Sequence, residues 1–331
     1  MAPVAARGPA VHACRVCDSH GHHPVFVARE MMYGLREPFE YFQCTNCGCL
    51  QIAAIPPDMG PYYRGDYYSL RGGHEAAYRH PLKNWLNRLR DQAMLFAPGG
   101  DALPLRVSVP SLRAAYSAIR RVPRLSLRSR IVDVGCGGGQ LLYRLRNAGF
   151  TSLLGIDPFL PEERQVDATL RFKRCSLEAL DGLFDLIMMH HSFEHMEAPR
   201  AVFRKLQTLL APGGTALVRI PVADCAAWEE YGVDWFQLDA PRHLYLHTRK
   251  SMQSLAQQGG LARVASYCDS DEHQFLVSEK YRRGIPTLLP PGYSGPRFQA
   301  SDEQVQQWRT RARALNREGR GDQAVFFFEA A

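Results

Sequence analysis

The chain has 331 residues, of which 46% are hydrophobic, enough for about two globular domains with buried cores. It contains no run of the roughly 18 apolar residues that a membrane-spanning helix needs, and no secretory segment precedes its first motif, so we expect a cytoplasmic protein. The net charge of +7 keeps acidic partners open, nucleic acid among them.

Two pairs of cysteines lie near the N-terminus, each with two residues between its members: Cys14 with Cys17, and Cys44 with Cys47. This spacing is typical of a zinc ribbon, in which four thiolates close a tetrahedral structural site. The other cysteines are scattered singly and no secretory segment is present, which disfavours two disulfides. We therefore predict structural Zn²⁺ in a ribbon domain over residues 1–54.

Residues 55–129 form the predicted connector. The apolar residues of 81–97 recur at helical spacing, and a second helix is predicted from about residue 111 to 122. A tyrosine cluster could close over the cofactor or acceptor, but we expect it mainly to pack the ribbon against the next domain. It comprises Tyr62, Tyr63, Tyr67 and Tyr68. A helical apolar stripe is usually buried, which predicts core positions at Leu82, Trp85, Leu86, Leu89, Ala93 and Phe96.

The most informative motif follows an apolar strand that begins at Ile131 and contains Asp133. Glycines occupy the alternate positions 135, 137 and 139, and a helix begins at Gln140. Such a loop turns sharply and lets an adenosyl ligand approach the backbone without meeting Cβ atoms. The dinucleotide fingerprint G-x-G-x-x-G/A would need a small residue where Gln140 stands, which disfavours a nicotinamide cofactor.

This alternating pattern of an acid and three glycines resembles the first motif of class I S-adenosylmethionine (SAM) methyltransferases. Their fold is α/β, a Rossmann-like, doubly wound, seven-stranded and mostly parallel sheet. The resemblance implies that the loop and its acid hold the methionine end of SAM. It assigns four residues to the cofactor site: Asp133, Gly135, Cys136 and Gly137.

Two further strands end in polar residues. Residues 152–157 are predicted to form a strand that ends in a carboxylate, and a carboxylate there can accept hydrogen bonds from both ribose hydroxyls. A strand near residues 170–175 leads to the position where many class I methyltransferases carry an acid that contacts the adenine. The resemblance adds to the cofactor site Asp157, Pro158, Ser176 and Leu177.

An almost continuous apolar run over residues 184–189 indicates a buried parallel strand. It brings three histidines to the carboxyl edge of the sheet, where ligands bind. His190 follows the strand directly, so we expect it to line the cofactor. A helix over residues 199–210, a turn at Ala211–Gly214 and a strand over 215–221 come next, and the Pro-Gly-Gly turn also resembles class I methyltransferases.

Methyl transfer to a hydroxyl needs a group that takes up the proton, and histidine titrates near neutral pH. The candidates for this general base are His191, His195 and His243. His243 lies in a segment, residues 239–245, that resembles the family stretch D-x-P-x-H-L, which completes a small-molecule acceptor pocket. For His195, a structural hydrogen-bonded role is an equal alternative.

A ribbon joined to such a domain resembles sugar C-methyltransferases and related bacterial enzymes of polysaccharide and natural-product pathways. Residues 55–69 resemble their connector, and residues 278–286 resemble a C-terminal element. The resemblance implies methyl transfer from SAM to a small-molecule or glycan acceptor, such as a sugar, a nucleotide-sugar or a phosphate-bearing polysaccharide intermediate. Residues 130–285 are then the methyltransferase domain, and residues 286–331 a C-terminal extension with a basic helix.

Arginines concentrate before the glycine loop and in the final helix, where they could bind the phosphates of RNA. An RNA methyltransferase is therefore the alternative function, although solvated helix faces explain the charge equally well. A third alternative is a binding module that has lost catalysis. The first group is Arg106, Arg113, Arg120, Arg121, Arg124, Arg128 and Arg130, and the second is Arg309, Arg311, Arg313, Arg317 and Arg320.

Overall fold

The structure is a computed structural model that describes residues 7–63, 81–97, 110–289 and 292–331. Three residues named above, Tyr67, Tyr68 and Arg106, lie outside these ranges. Within them, no helix combines the length and the apolar character needed to cross a membrane.

A small antiparallel sheet contains the N-terminal residues. Its strands are β1 (Arg7–Ala13), β2 (His20–Arg29), β3 (Pro38–Gln43) and β4 (Leu50–Ile52), and the fifth strand is β11 (Tyr245–Leu246), which pairs with β4. One C-x-x-C pair lies in the turn between β1 and β2, and the other lies in the turn between β3 and β4. Each hairpin therefore delivers two thiols to the same end of the sheet.

Two helices precede the larger sheet, α1 (Pro81–Phe96) and α2 (Pro110–Ile119). The expectation that the apolar stripe of α1 is core is wrong. The helix instead buries a neighbouring face with Asp91, Met94 and Leu95. The carboxylate of Asp91 is paired with Arg90 and lies 3.9 Å from Arg144, and these cations offset the cost of burying its charge. The exposed residues of the stripe are Leu82 (63%), Trp85 (57%), Leu86 (54%), Leu89 (46%) and Phe96 (44%).

The remaining residues form a second sheet flanked by helices. Its strands are β5 (Arg130–Val134), β6 (Ser152–Ile156), β7 (Arg164–Gln165), β8 (Leu170–Lys173), β9 (Phe184–His190), β10 (Leu210–Pro221), β12 (Leu261–Cys268) and β13 (Gln323–Ala330). The helices are α3 (Gln140–Ala148), α4 (Pro199–Leu209), α5 (Ala226–Tyr231), α6 (Arg249–Gln258), α7 (His273–Arg282) and α8 (Asp302–Arg317).

The strand order of this sheet is β12-β13-β10-β9-β5-β6-β8-β7. The strands from β10 to β8 run parallel, β13 lies antiparallel between β10 and β12, and β7 is a two-residue antiparallel strand at one edge. The predicted Rossmann-like, seven-stranded, mostly parallel sheet is confirmed, with β7 as an addition. The order reverses between β5 and β9, which places the ligand crevice beyond the carboxyl ends of those two strands.

The sheets cross two of the predicted domain boundaries. β13 lies between β12 and β10 in the larger sheet, although residues 323–330 fall within the predicted C-terminal extension. β11 belongs to the ribbon sheet, although residues 245–246 fall within the predicted methyltransferase domain. A strand is placed by hydrogen bonds to its neighbours, and these need not be near it in sequence.

The predicted turn Ala211–Gly214 lies inside β10. Leu210 pairs with Phe184 and Thr215 pairs with Leu186, so five steps along β10 correspond to two along β9 and the ladder bulges. A Cβ atom on Gly214 would lie 2.7 Å from the carbonyl oxygen of Phe184, which explains the glycine at this position.

Candidate cofactor and acceptor sites

The glycine loop joins β5 to α3 at the reversal point of the sheet. Gly135, Gly137 and Gly139 have φ values of 75°, 50° and 79°, a region that non-glycine residues rarely adopt. A Cβ atom on Gly135 would lie 2.5 Å from the Cβ atom of Ser192, and one on Gly139 would lie 2.3 Å from the ring of Phe172. The loop is thus packed closely against the segment that follows β9.

Two carboxylates lie at this loop. Asp157 accepts hydrogen bonds from the backbone N–H groups of Gly137 (3.0 Å) and Phe159 (2.9 Å), so it fixes the loop as well as ending β6. Asp133 is buried, and its burial together with the negative charge of Asp157 raises its pKa to about 7. A cationic ligand group placed beside Asp133 would offset both effects.

His190 ends β9 next to the loop. Both of its ring nitrogens are buried, and neither has a hydrogen-bond partner in the part of the chain that the structure describes. Burial, with the charges of Arg219 and His191, lowers its pKa to about 3, so the ring is neutral. An unpartnered neutral imidazole beside a glycine cradle fits a polar ligand such as SAM.

The other predicted cofactor residues occupy the rim of this crevice. Cys136 lies within the loop, and burial raises its thiol pKa. Pro158 and Ser176 are exposed at the ends of β6 and β8, whereas Leu177 is buried. Asp157, Pro158, Ser176 and Leu177 therefore all follow strand ends at the same edge of the sheet.

A buried carboxylate that the sequence analysis missed, Glu194, lies in the short helical turn Phe193–His195. Nδ1 of His191 is 3.3 Å from its Oε1 atom, and Nε2 of His243 is 3.9 Å from the same oxygen. Burial opposes ionisation, but the hydrogen bond from His191 and the nearby histidines lower its pKa to about 2. The sequence signal was a carboxylate flanked by two candidate catalytic histidines.

The backbone selects the tautomer of two of these histidines. Nδ1 of His195 is 2.8 Å from the carbonyl oxygen of Arg242, and Nδ1 of His243 is 2.6 Å from that of Gln237. A carbonyl oxygen only accepts hydrogen bonds, so each Nδ1 carries a hydrogen, and the Nε2 of each ring is its lone-pair nitrogen when the ring is neutral. Nε2 of His243 also lies 3.9 Å from the carboxylate of Asp239. Burial and the charge of His243 lower the pKa of His195, which favours its neutral form.

His191 is held differently. Arg219 donates from Nη1 to Nε2 of His191 over 2.7 Å, and Arg219 itself donates from Nε to Asp269 over 2.6 Å. Because arginine only donates, Nε2 of His191 is the acceptor and its hydrogen is on Nδ1, facing Glu194. The structure thus brings all three candidate bases around Glu194, with the nitrogens of His191 already occupied.

The four ribbon cysteines converge as the sequence predicts. The sulfur atoms of Cys14 and Cys47 are 3.6 Å apart, those of Cys17 and Cys44 are 3.7 Å apart, and all four lie within 4.8 Å of one another. Tetrahedral Zn²⁺ with Zn–S bonds of 2.3 Å places its sulfurs about 3.8 Å apart, whereas a disulfide bond is about 2.0 Å long. The cluster fits a small zinc ribbon.

Comparison with known proteins agrees with this geometry. Residues 111–266 match the family model described as a methyltransferase domain. The chain is 33% identical over 126 residues to a tRNA U34 carboxymethyltransferase of Azotobacter vinelandii, covering 34% of this chain and 39% of that protein. It is 36% identical over 99 residues to a ubiquinone biosynthesis O-methyltransferase of Methylococcus capsulatus, covering 26% and 40%.

These matches thus span about two fifths of the relatives' own length. Among solved structures, a SAM-dependent methyltransferase from Archaeoglobus fulgidus superposes with a TM-score of 0.42 at 14% identity, covering 67% of this chain and 95% of that one.

The predicted sugar or glycan acceptor is wrong. The curated relatives are named for tRNA and ubiquinone biosynthesis, and the resemblance to sugar C-methyltransferases finds no support among them. The ribbon and the tyrosine connector lie outside residues 111–266, so the family match does not bear on what they contribute to acceptor binding. The larger sheet and its glycine loop thus have the class I SAM-dependent methyltransferase fold, and residues 111–266 of the chain match a methyltransferase domain.

Proposed function

We propose that this chain transfers the methyl group of SAM to a hydroxyl of a small molecule other than a sugar. The observation that carries the proposal is the cluster of Glu194, His195 and His243, which lies beside the glycine loop and leaves two imidazole lone pairs free. Relatives named O-methyltransferases support an oxygen acceptor.

In this proposal, SAM supplies an electrophilic methyl group on its sulfonium. Asp133 would hold its ammonium group, Asp157 would accept hydrogen bonds from the ribose hydroxyls, and His190 would pair with one of its polar atoms. The remaining cradle is the backbone of Gly135 and Gly137 with the side chains of Cys136, Pro158, Ser176 and Leu177.

The proton of the acceptor hydroxyl passes to Nε2 of His195 or His243. Ionised Glu194 stabilises the imidazolium that forms, as a carboxylate beside a catalytic histidine does. His191 positions Glu194 in this arrangement, because its own Nε2 already accepts from Arg219. The hydroxyl of Tyr63 lies 3.1 Å from Nδ1 of His195 and closes one side of the site.

The test is calorimetry with SAM and S-adenosylhomocysteine, followed by transfer of a labelled methyl group to a panel of phenols. The change His243→Ala should lower kcat by about 100-fold or more and leave the Kd for SAM unchanged, since His243 is outside the proposed cofactor site. His273→Ala, at an exposed histidine of α7, is the matched control. If neither SAM nor S-adenosylhomocysteine bound, the proposal that this chain is a methyltransferase would be refuted.

We also propose that the four ribbon cysteines bind structural Zn²⁺. The change Cys44→Ser should remove one equivalent of zinc and lower the thermal stability, because a closed thiolate site contributes directly to folding. Cys175→Ser changes a half-buried cysteine outside the cluster and should leave the zinc content intact. Atomic absorption gives the zinc content of each purified variant, and a thermal melt gives its stability. Equal zinc contents in the two variants would contradict the assignment.

tRNA is a second candidate acceptor, supported by relatives named for tRNA and by the net charge of +7. Three arginines of the second group are already paired with glutamates of this chain, which reduces the charge available to phosphates: Arg309 with Glu272 (2.7 Å), Arg311 with Glu230 (2.5 Å) and Arg320 with Glu229 (2.5 Å). Label recovered in tRNA, with binding that weakens steeply with salt, would select this candidate over a small molecule.

A further inference from the structure

We propose that Glu194, His195 and His243 bind a divalent transition-metal ion, and that the acceptor hydroxyl occupies an open position on that ion. The identity of the acceptor rests on the proposed methyl transfer. The metal site itself is inferred from the positions and hydrogen bonds of the three side chains. It is separate from the four-cysteine site of the ribbon.

The donor atoms are already gathered. One ligand atom from each of the three residues lies within 4.8 Å of the other two, and the rings of His195 and His243 meet edge to face with their centroids 4.8 Å apart. Two imidazoles with one carboxylate form the donor set of catalytic zinc and of non-haem iron sites.

The protonation state of the donors suits a metal. Metal-binding histidines use one nitrogen for the ion and donate the other N–H group to a carbonyl or carboxylate. Both histidines do so here, with Nδ1 of His195 directed to the carbonyl of Arg242 and Nδ1 of His243 to that of Gln237. The backbone therefore occupies neither Nε2, and that of His243 lies 3.9 Å from Oε1 of Glu194.

Glu194 supplies the negative charge. Its side chain is fully buried, and apart from Nδ1 of His191 neither oxygen has a hydrogen-bond partner in the ranges that the structure covers. A buried carboxylate without partners is costly unless a cation is nearby. A metal ion at this position would provide that cation.

The residues behind Glu194 form a supporting chain. Asp269 holds Arg219, Arg219 holds His191, and His191 directs its Nδ1–H group at Oε1 of Glu194. His191 has a φ of 53°, a strained value for a residue with a side chain. Outer residues of this kind orient metal ligands, and their loss typically weakens metal affinity by about 10- to 100-fold.

Three protein ligands leave at least one position of the ion open. With both Nε2 atoms bound to the ion, neither histidine can take up the proton, so the ion replaces the base role proposed above. A hydroxyl bound at the open position has a lowered pKa, its O–H bond breaks and the proton passes to solvent water. The oxygen then forms a bond to the methyl carbon of SAM while the C–S bond breaks, which leaves the methyl ether and S-adenosylhomocysteine.

The experiment is a titration of the full chain with Co²⁺ and Zn²⁺, after a mild chelator has removed weakly held metal. We expect two equivalents, of which one shows the intense thiolate-to-cobalt bands of the ribbon. The second should show only weak d–d bands, as nitrogen and oxygen ligands give. Binding of one equivalent to the folded full chain would overturn the proposal.

Variants assign the second equivalent. His195→Ala, His243→Ala and Glu194→Gln should each lose it and keep the thiolate bands, whereas His273→Ala should keep both. His191→Ala should weaken it by about 10- to 100-fold. Retention of the second equivalent by the first two variants would place the metal elsewhere, and the thiolate bands of each sample report that the ribbon is folded.

The outcomes separate this inference from the proposed function. Turnover with one metal equivalent would reject the second site and leave methyl transfer in place. Failure to bind SAM would reject the function, and the cobalt spectra would still decide on the second site because they need no substrate.

Discussion

Asp133 and Asp157 place two carboxylates at one loop, and only one of them is stabilised by backbone N–H groups. Asp157 accepts two such bonds, whereas burial and the charge of Asp157 raise the pKa of Asp133 to about 7. The sequence identifies both acids from their positions at strand ends. Their unequal environments follow from the path of the loop around Asp157.

The change Asp133→Asn should stabilise the free protein and weaken SAM. A folded-state pKa raised from 3.8 to about 7 means that the contribution of Asp133 to stability falls as pH rises through that window and is least favourable above pH 7. The variant should therefore be more stable at pH 8, by up to about 4 kcal/mol, with the difference vanishing near pH 4. Urea denaturation across pH and calorimetry with SAM measure both effects.

A variant that is less stable than the wild type at pH 8 would contradict the assigned pKa shift. Unchanged SAM affinity would instead show that Asp133 does not contact the cofactor.

At the scale of elements, α1 illustrates how periodicity can select the wrong face. Its apolar stripe and its buried face are neighbours, and the buried face contains a charged residue, Asp91, that hydrogen-bonds with Arg90 and lies 3.9 Å from Arg144 of α3. The hydrophobic pattern of a helix contains no information about an ion pair with a residue that is distant in sequence. The strands, by contrast, have buried runs that need no such partner.

Substitutions in α1 test its orientation. Leu86→Ser on the exposed face should change the free energy of unfolding by no more than about 0.5 kcal/mol. Leu95→Ala on the buried face should cost about 2 to 5 kcal/mol, because it removes apolar contacts and leaves a cavity. Chemical denaturation of both variants gives the comparison, and equal losses would mean that the exposed face is covered.

At the scale of the whole molecule, Arg242 connects the ribbon to the methyltransferase domain. Its guanidinium is fully buried and donates to Glu30, which follows β2 of the ribbon, over 3.2 Å, and to Asp239 over 2.9 Å. Tyr41 of β3 also donates to the carbonyl of His243 over 2.9 Å. The ribbon thereby supports the backbone that carries His243 and the Arg242 carbonyl to which His195 donates.

The change Arg242→Met should destabilise the protein by about 3 to 5 kcal/mol, because Glu30 and Asp239 would remain as buried charges without their cation. Arg311→Met is the control, since its ion pair with Glu230 is half exposed and should contribute less than about 1 kcal/mol. Unfolding followed by tryptophan fluorescence measures both. A loss below that of the control would mean that the buried pair is dispensable.

The sequence by itself determined the sheet, the glycine loop, the strand-end acids and the cysteine cluster, because each depends on local periodicity or on spacing along the chain. Only the tertiary structure decided the buried position of Glu194 beside His191 and His243, the backbone partners of His195 and His243, and the insertion of β11 and β13 into their sheets. These depend on contacts between residues far apart in sequence, such as Arg219 with His191 and Arg242 with Glu30, and no local pattern encodes such contacts.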